Sequence, residues 1–269
     1  MAEHRVSIFP SANQDVEKAQ RVPETAQTKA PAYQLAFEDL DFLRREDMRP
    51  IRFQLELLKP ELMMAEAGIE STVVLFGGAR IPDPVHRDQA RTETLADLSR
   101  YYDEARKFAN LAGRESIATE GRDYVVVTGG GPGVMEAGNR GAGEVGAKSI
   151  GLNIVLPHEQ APNTFVTPEL CFNFHYFALR KMHFLMRARA VAAFPGGYGT
   201  LDELFETLTL IQTERMERVP VLLFGEVFWR RIVNWEALAD AGTISPQDLD
   251  LFRFVETAEE AWEIIRPGG

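Results

Sequence analysis

Short β-branched apolar runs that end on glycine, each followed by a helical period, constrain this chain more than any other feature. Thr72–Phe76 runs into Gly77-Gly78, Tyr124–Val127 into Gly129–Gly131, and Ala190–Phe194 into Pro195–Gly199. The first is followed by a stripe of Leu95, Leu98, Tyr102, Ala105, Ala109 and Ala112, spaced by threes and fours, which reads as core packing and nothing more. Further strands are expected at Ser149–Val155, Val219–Phe224 and Phe252–Val255, and further helices at Val134–Gly143, Tyr176–Arg189, Leu201–Arg215, Phe228–Ala241 and Ala258–Ile265. Strands that are apolar on both faces and alternate with helices predict an α/β fold with a doubly wound parallel sheet and helices on both faces.

This pattern fills residues 69–269, read as one nucleotide-binding catalytic domain. Residues 1–34 are mixed polar with Pro10, Pro23 and Pro31, and read as a mobile tail in which only Ile8-Phe9 is expected to dock. Residues 35–68 read as a helical extension, with Phe37, Leu40 and Leu43, then Phe53, Leu57 and Leu58; Pro60 is expected to break or restart the second helix. The extension serves either as packing or as an oligomer contact.

The net charge of -11, from 29 basic and 40 acidic residues, argues against a broad nucleic-acid footprint. With Cys171 the only cysteine, no intrachain disulfide and no cysteine-based zinc site can form, which fits a reducing cytoplasm. No apolar run approaches the roughly 20 residues of a membrane span, and Met1–Arg5 does not open a signal peptide. The expectation is a cytoplasmic protein without membrane or nucleic-acid partners.

In a parallel sheet with right-handed crossovers, every strand-to-helix turn lies at one edge, where ligands bind. Three such turns here are glycine-rich: Gly77-Gly78-Ala79-Arg80, Gly129-Gly130-Gly131-Pro132-Gly133 and Gly196-Gly197-Tyr198-Gly199-Thr200. Glycine lets the backbone approach a ligand, and the helix behind it offers N–H groups to an anion. The dinucleotide fingerprint fails, because its third glycine position falls on Glu136 or on Asp202. The Walker pattern fails because Ala147 precedes Lys148. A backbone cradle with one hydroxyl, Thr200, suits a single phosphate, so a mononucleotide or sugar phosphate is the expected ligand.

Thr200-Leu201-Asp202-Glu203 has the form of a capping box, with Thr200 as N-cap and Glu203 at the third helical position. The alternative is that Glu203 does chemistry. Upstream, Arg180, Lys181, His183, Arg187 and Arg189 form either an exposed basic face or a set whose arginine reaches the same anion in a fork. The histidines show no metal-ligand spacing, with His175 and His183 eight apart, so neither a metal nor another cofactor is expected.

Pro195-Gly196-Gly197-Tyr198-Gly199-Thr200-Leu201-Asp202-Glu203 resembles the P-G-G-x-G-T-x-x-E signature of the LOG ("Lonely Guy") family, cytokinin riboside 5′-monophosphate phosphoribohydrolases often mislabelled lysine decarboxylases. Arg180-Lys181 resembles that family's Arg-Lys pair, and Gly129–Met135 its first glycine loop. The likeness covers roughly Thr72 to Phe224. The N-terminal extension, and Glu136 where short members carry Gly, resemble the longer bacterial subgroup. The resemblance implies a Rossmann-like domain and a homo-oligomer, a dimer or higher. It implies Arg180 and Glu203 as the catalytic pair, with Gly130, Gly131, Gly133, Gly196, Gly197, Tyr198, Gly199 and Thr200 holding phosphate and ribose. Glu136, Arg80 and Lys181 are further candidates for substrate contact. The implied reaction converts AMP or an N6-substituted AMP to free base and ribose 5-phosphate.

Two other readings stand beside it. A carrier of a nucleotide or cofactor on the same scaffold would need the cradle but not Glu203. A pyridoxal-phosphate decarboxylase would need a Schiff-base lysine, and no such signal accompanies Lys148 or Lys181.

Overall fold

The computed structural model describes residues 8–157 and 161–268. Residues 1–7 of the expected tail therefore lie outside the described residues. The described chain forms two compact units, divided between Leu55 and Glu56.

In the first unit, helix α1 (Ala12–Ala19) forms within the stretch read as a tail. Ser11 and Gln14 make a reciprocal capping box, which satisfies N–H groups that a short polar helix would otherwise leave to water. Helix α2 (Leu40–Arg44) is capped by Asp39, and the Arg52 guanidinium donates to the Leu43 carbonyl at 2.8 Å. The division falls inside helix α3 (Arg49–Glu66).

The second unit holds a seven-stranded, all-parallel sheet: β1 (Thr72–Phe76), β2 (Val125–Thr128), β3 (Ser149–Ile154), β4 (Cys171–Phe174), β5 (Ala188–Ala193), β6 (Val221–Phe224) and β7 (Arg253–Val255). The spatial order is β4-β3-β2-β1-β5-β6-β7. Helices α4 (Glu93–Asp97) and α5 (Arg100–Ala118) follow β1, and α6 (Val134–Glu144) follows β2. Helix α7 (Phe177–Leu185) follows β4, and α8 (Tyr198–Gln212) follows β5. Helices α9 (Glu226–Ile232) and α10 (Trp235–Asp240) follow β6, and α11 (Ala258–Ile265) follows β7.

The alternation of side chains along each strand builds two cores. Val73 and Leu75 face one way, against Tyr101, Phe108 and Ala112 of α5, Ala137 of α6 and Ala261 of α11. Val74 and Phe76 face the other, with Phe184 of α7, Leu204 and Ile211 of α8, Trp229 and Trp235. This is the doubly wound α/β sheet that the apolar runs predict. Its strand order turns back between β1 and β5, so the crevice beyond their carboxyl ends is the switch point where such sheets bind ligands.

Three local expectations need correction. Helix α3 runs through Pro60 without a break. A proline lacks the N–H that would bond the carbonyl four residues back, here Glu56, and that loss usually breaks a helix. The Glu56 carbonyl instead accepts from Nε2 of His183, at 3.2 Å. His183 is 3% exposed, and burial holds its pKa below the usual histidine range, which keeps the ring neutral in that bond. Replacing His183 with Leu is expected to cost about 1–3 kcal/mol, as for any buried carbonyl stripped of its donor. Adding Pro60→Ala should recover most of that loss, because the new N–H supplies the missing donor; urea midpoints of the single and double variants check it.

The second correction is the strand β4, which sequence periodicity does not signal. Only Phe172 and Phe174 of its four residues are buried, and it sits at the sheet edge beside β3. The third is the segment Phe228–Ala241, which is two helices. The first ends at Ile232 with Val233 as its C-cap, and Asn234 caps the second through its side chain, which accepts from Ala237 N–H at 3.1 Å.

Candidate active site

The three glycine loops are joined by their own backbone at the switch point. Gly78 N–H donates to the Pro195 carbonyl at 2.9 Å, tying the β1 loop to the β5 loop. Val134 N–H donates to the Gly78 carbonyl at 3.3 Å, tying in the β2 loop. Gly133 sits at φ +68°, and a Cβ there would come within 2.4 Å of the Gly78 oxygen. The close approach of the two loops therefore needs glycine twice over, for conformation and for space. Gly133→Ala is expected to cost about 3 kcal/mol or more, combining backbone strain with a clash. Thermal or urea unfolding reads the loss directly.

Between these loops lies a cavity of about 850 Å³. Gly196 through Glu203 line one wall, and Gly77 through Ile81, including Arg80, line another. Gly129 and Met135 approach from the β2 side, and Arg180, Phe177 and Phe184 from α7. Phe228 and Ile232 of α9, with Leu95 and Leu98, add an apolar part. The stripe containing Leu95 and Leu98 was expected to be core packing alone. The chain turns at Leu98-Ser99 between α4 and α5, so these two leucines also face the cavity while the α5 residues stay in the core.

Helix α8 starts at Tyr198 with Gly197 as its N-cap, three residues before the expected start. Thr200 N–H already bonds the Gly197 carbonyl, so the expected capping box between Thr200 and Glu203 does not form. The first N–H groups of this helix, at Tyr198 and Gly199, have no carbonyl one turn back within the helix and point to the edge where an anion would sit. Thr200 is buried beneath Gly196, and Tyr198 is 92% exposed at the rim.

Freed of a capping role, Glu203 is 7% exposed and lines the cavity, and its Oε2 has no hydrogen-bond partner among the described residues. Burial pushes its pKa up to about 7, against the opposing pull of the Lys181 and Arg180 charges. A carboxylate that is buried and unclaimed costs stability, and such groups concentrate where chemistry needs them.

Arg180 is held by three surfaces. Its Nε donates to the Leu152 carbonyl at 2.7 Å, at the end of β3. Its guanidinium lies 5.2 Å over the Phe184 ring. It also abuts Gly129, where a Cβ would stand 2.6 Å from Nη2. The residue after it, Lys181, turns away to α8 and bridges Asp202 at 2.8 Å and Glu206 at 2.9 Å.

Other expected contacts are placed elsewhere. Gly130, Gly131 and Gly133 are buried behind the cavity wall. Glu136 accepts from the Tyr102 hydroxyl at 2.7 Å, beside Arg140 and Asp83. Three asparagines that no motif signals fix the β2 loop. Asn163 donates to the carbonyls of Gly130 and Gly131 and to Asn139, each at 3.0 Å. Asn139 accepts from Thr128 at 2.7 Å, and Asn153 packs where a Gly130 Cβ would be.

The profile of a family described as "possible lysine decarboxylase" matches residues 135–265. A cytokinin riboside 5′-monophosphate phosphoribohydrolase of Arabidopsis thaliana, LOG7, is 30% identical over 151 residues, which is 55% of this chain and 66% of that protein. The chain thus spans just under two thirds of that relative's length. Among solved structures, the molybdenum cofactor binding protein of the phototrophic bacterium Rippkaea orientalis is similar at a TM-score of 0.48 and 17% identity, over 73% of this chain and 96% of that one. The molybdenum cofactor carrier protein of Chlamydomonas reinhardtii is similar at 0.45 and 18% identity, over the same shares.

Proposed function

We infer that the chain is a LOG-family protein, and from that premise we propose that it hydrolyses the N-glycosidic bond of a nucleoside 5′-monophosphate. The substrate is AMP or an N6-substituted AMP, and the products are the free base and ribose 5-phosphate. One observation carries the reading: a buried carboxylate, Glu203, whose Oε2 has no hydrogen-bond partner among the described residues, shares a cavity with Arg180 beside the amino end of α8, at the switch point of the sheet.

In this reading the 5′-phosphate lies at the α8 amino end, where backbone N–H groups and a fork-shaped guanidinium suit a dianion. Fixing the phosphate supplies remote binding energy to strain at the sugar. The C1′–N bond breaks with its electron pair going to the base, leaving an oxocarbenium-like sugar, as in other glycoside cleavages. The Glu203 carboxylate stabilises that cation and takes a proton from the attacking water, whose oxygen bonds to C1′. The departing base takes its proton from solvent.

Pyridoxal phosphate, the usual cofactor of an amino-acid decarboxylase, does not fit these residues. No lysine lines the cavity among the described residues. Lys181 is engaged by two carboxylates that hold its ammonium protonated, and Lys148 donates to the Ala67 carbonyl instead. A Schiff base needs a neutral, accessible amine.

Incubation with AMP, isopentenyl-AMP, GMP, IMP, CMP and adenosine, followed by chromatography, tests the proposal. Base release from adenine monophosphates, with adenosine left intact, is the expected result. Nucleotide bound tightly and recovered unchanged would make the protein a carrier instead.

A further inference from the structure

Arg180 and Lys181 are adjacent on α7, and Asp202 and Glu203 are adjacent on α8. Neighbours on a helix project about 100° apart, so Arg180 and Lys181 divide between two directions. Arg180 and Glu203 line the cavity. Lys181 lies off the cavity wall and meets Asp202, which borders the cavity as well, in a shallow depression that also includes Tyr198, Phe205 and Glu206. There the Lys181 ammonium, on a side chain only 17% exposed, bridges Asp202 and Glu206, which stand one turn apart on α8. Glu203 lies between those two in sequence, so three carboxylates crowd five consecutive residues of one helix.

We propose that Lys181 is a positioning residue: clamped between Asp202 and Glu206, it neutralises the carboxylates that flank Glu203 and so leaves Glu203 ionised and unclaimed toward the cavity. The geometry separates this from a substrate contact, because Lys181 is not on the cavity wall and both of its salt bridges point to α8. It also separates it from direct pairing, since Glu203 Oε2 has no hydrogen-bond partner among the described residues. The charged groups facing Glu203 act with opposite signs. Lys181 and Arg180 from α7 favour its ionised form, while Glu206 and Asp202 from α8 oppose it. Arg80, from the β1 loop, lines the same cavity. Lys181 is the group that serves both sides of this balance, adding its own charge and cancelling two others.

This inference rests on the reading of Glu203 as the acting carboxylate, and its test keeps the two apart. The full-length protein and its Lys181→Met and Asp202→Asn variants are compared in two ways. One is the pH profile of kcat/KM for AMP. The other is the ionisation of the Glu203 carboxyl itself, read by infrared difference against Glu203→Gln. Lys181→Met should move the acidic limb and the carboxyl titration to higher pH by at least half a unit, about threefold in rate at a fixed pH on the limb. Activity should recover at pH 9. Asp202→Asn, at a half-exposed position, should move both to lower pH. A carboxyl titration identical in wild type and Lys181→Met, with activity lost evenly at every pH, would overturn the proposal. A carboxyl titration that moves while the rate limb stays fixed would uphold the role of Lys181 and refute the catalytic reading of Glu203.

Discussion

Glu203→Gln is expected to reduce turnover of AMP by about 10²–10⁴, the usual range for loss of a working acid or base, without loss of fold. The same substitution should make the protein more stable at neutral and higher pH. The native pKa, about 7, lies above the ordinary glutamate value of 4.5. Between those values the folded protein holds the proton and the unfolded chain releases it, so stability falls as pH rises through this window. Above pH 7 the folded state carries a buried charge at a standing cost of about 3 kcal/mol. Gln removes that cost, so unfolding at pH 8 should need more denaturant for the variant, while at pH 4 the two proteins should coincide. A structural role would give the reverse, with stability lost and activity reduced only in proportion to the unfolded fraction. For the wild type, kcat/KM should rise with pH through about 7, because the reading needs the ionised carboxylate.

Arg180→Ala should lower kcat/KM by about 10²–10³, the scale for removing a preorganised donor from developing or bound charge. The guanidinium is pinned by the Leu152 carbonyl, the Phe184 ring and Gly129, so its direction toward the cavity is set before substrate arrives. Lysine cannot reproduce that arrangement, since it lacks both the fork and the planar stacking surface. Arg180→Lys should therefore recover little. If Arg180 holds the phosphate, competitive inhibition by ribose 5-phosphate should weaken in parallel with the loss of kcat/KM. Inhibition that stays at the wild-type level would place its action elsewhere.

The central sheet was legible because its strands are apolar on both faces and end on glycine, and only a parallel sheet covered twice by helices accommodates that. Strand β4 was not legible, because an edge strand of four residues with two buried side chains leaves no periodic trace. Pro60 misled for a related reason. The His183 side chain that rescues its helix lies more than a hundred residues away, and no local rule can supply it. At the site, the loop after β5 and the residues Arg180 and Glu203 could be picked out in the sequence, and the structure sets both side chains on one cavity. Whether Glu203 caps its helix could not be decided from spacing. The answer turned on a start three residues earlier, at Tyr198, which Gly197 permits and a local pattern does not reveal. The asparagines behind the β2 loop were invisible to motif reading, since Asn163 reaches Gly130 across thirty-three residues.

The most direct test follows AMP by chromatography with wild type and with Glu203→Gln that is shown to be folded and to bind AMP. The account predicts adenine and ribose 5-phosphate in equal amounts from the wild type, and at most about one part in a hundred of that rate from the variant. AMP left intact by the wild type, or cleaved equally well by both proteins, would contradict it.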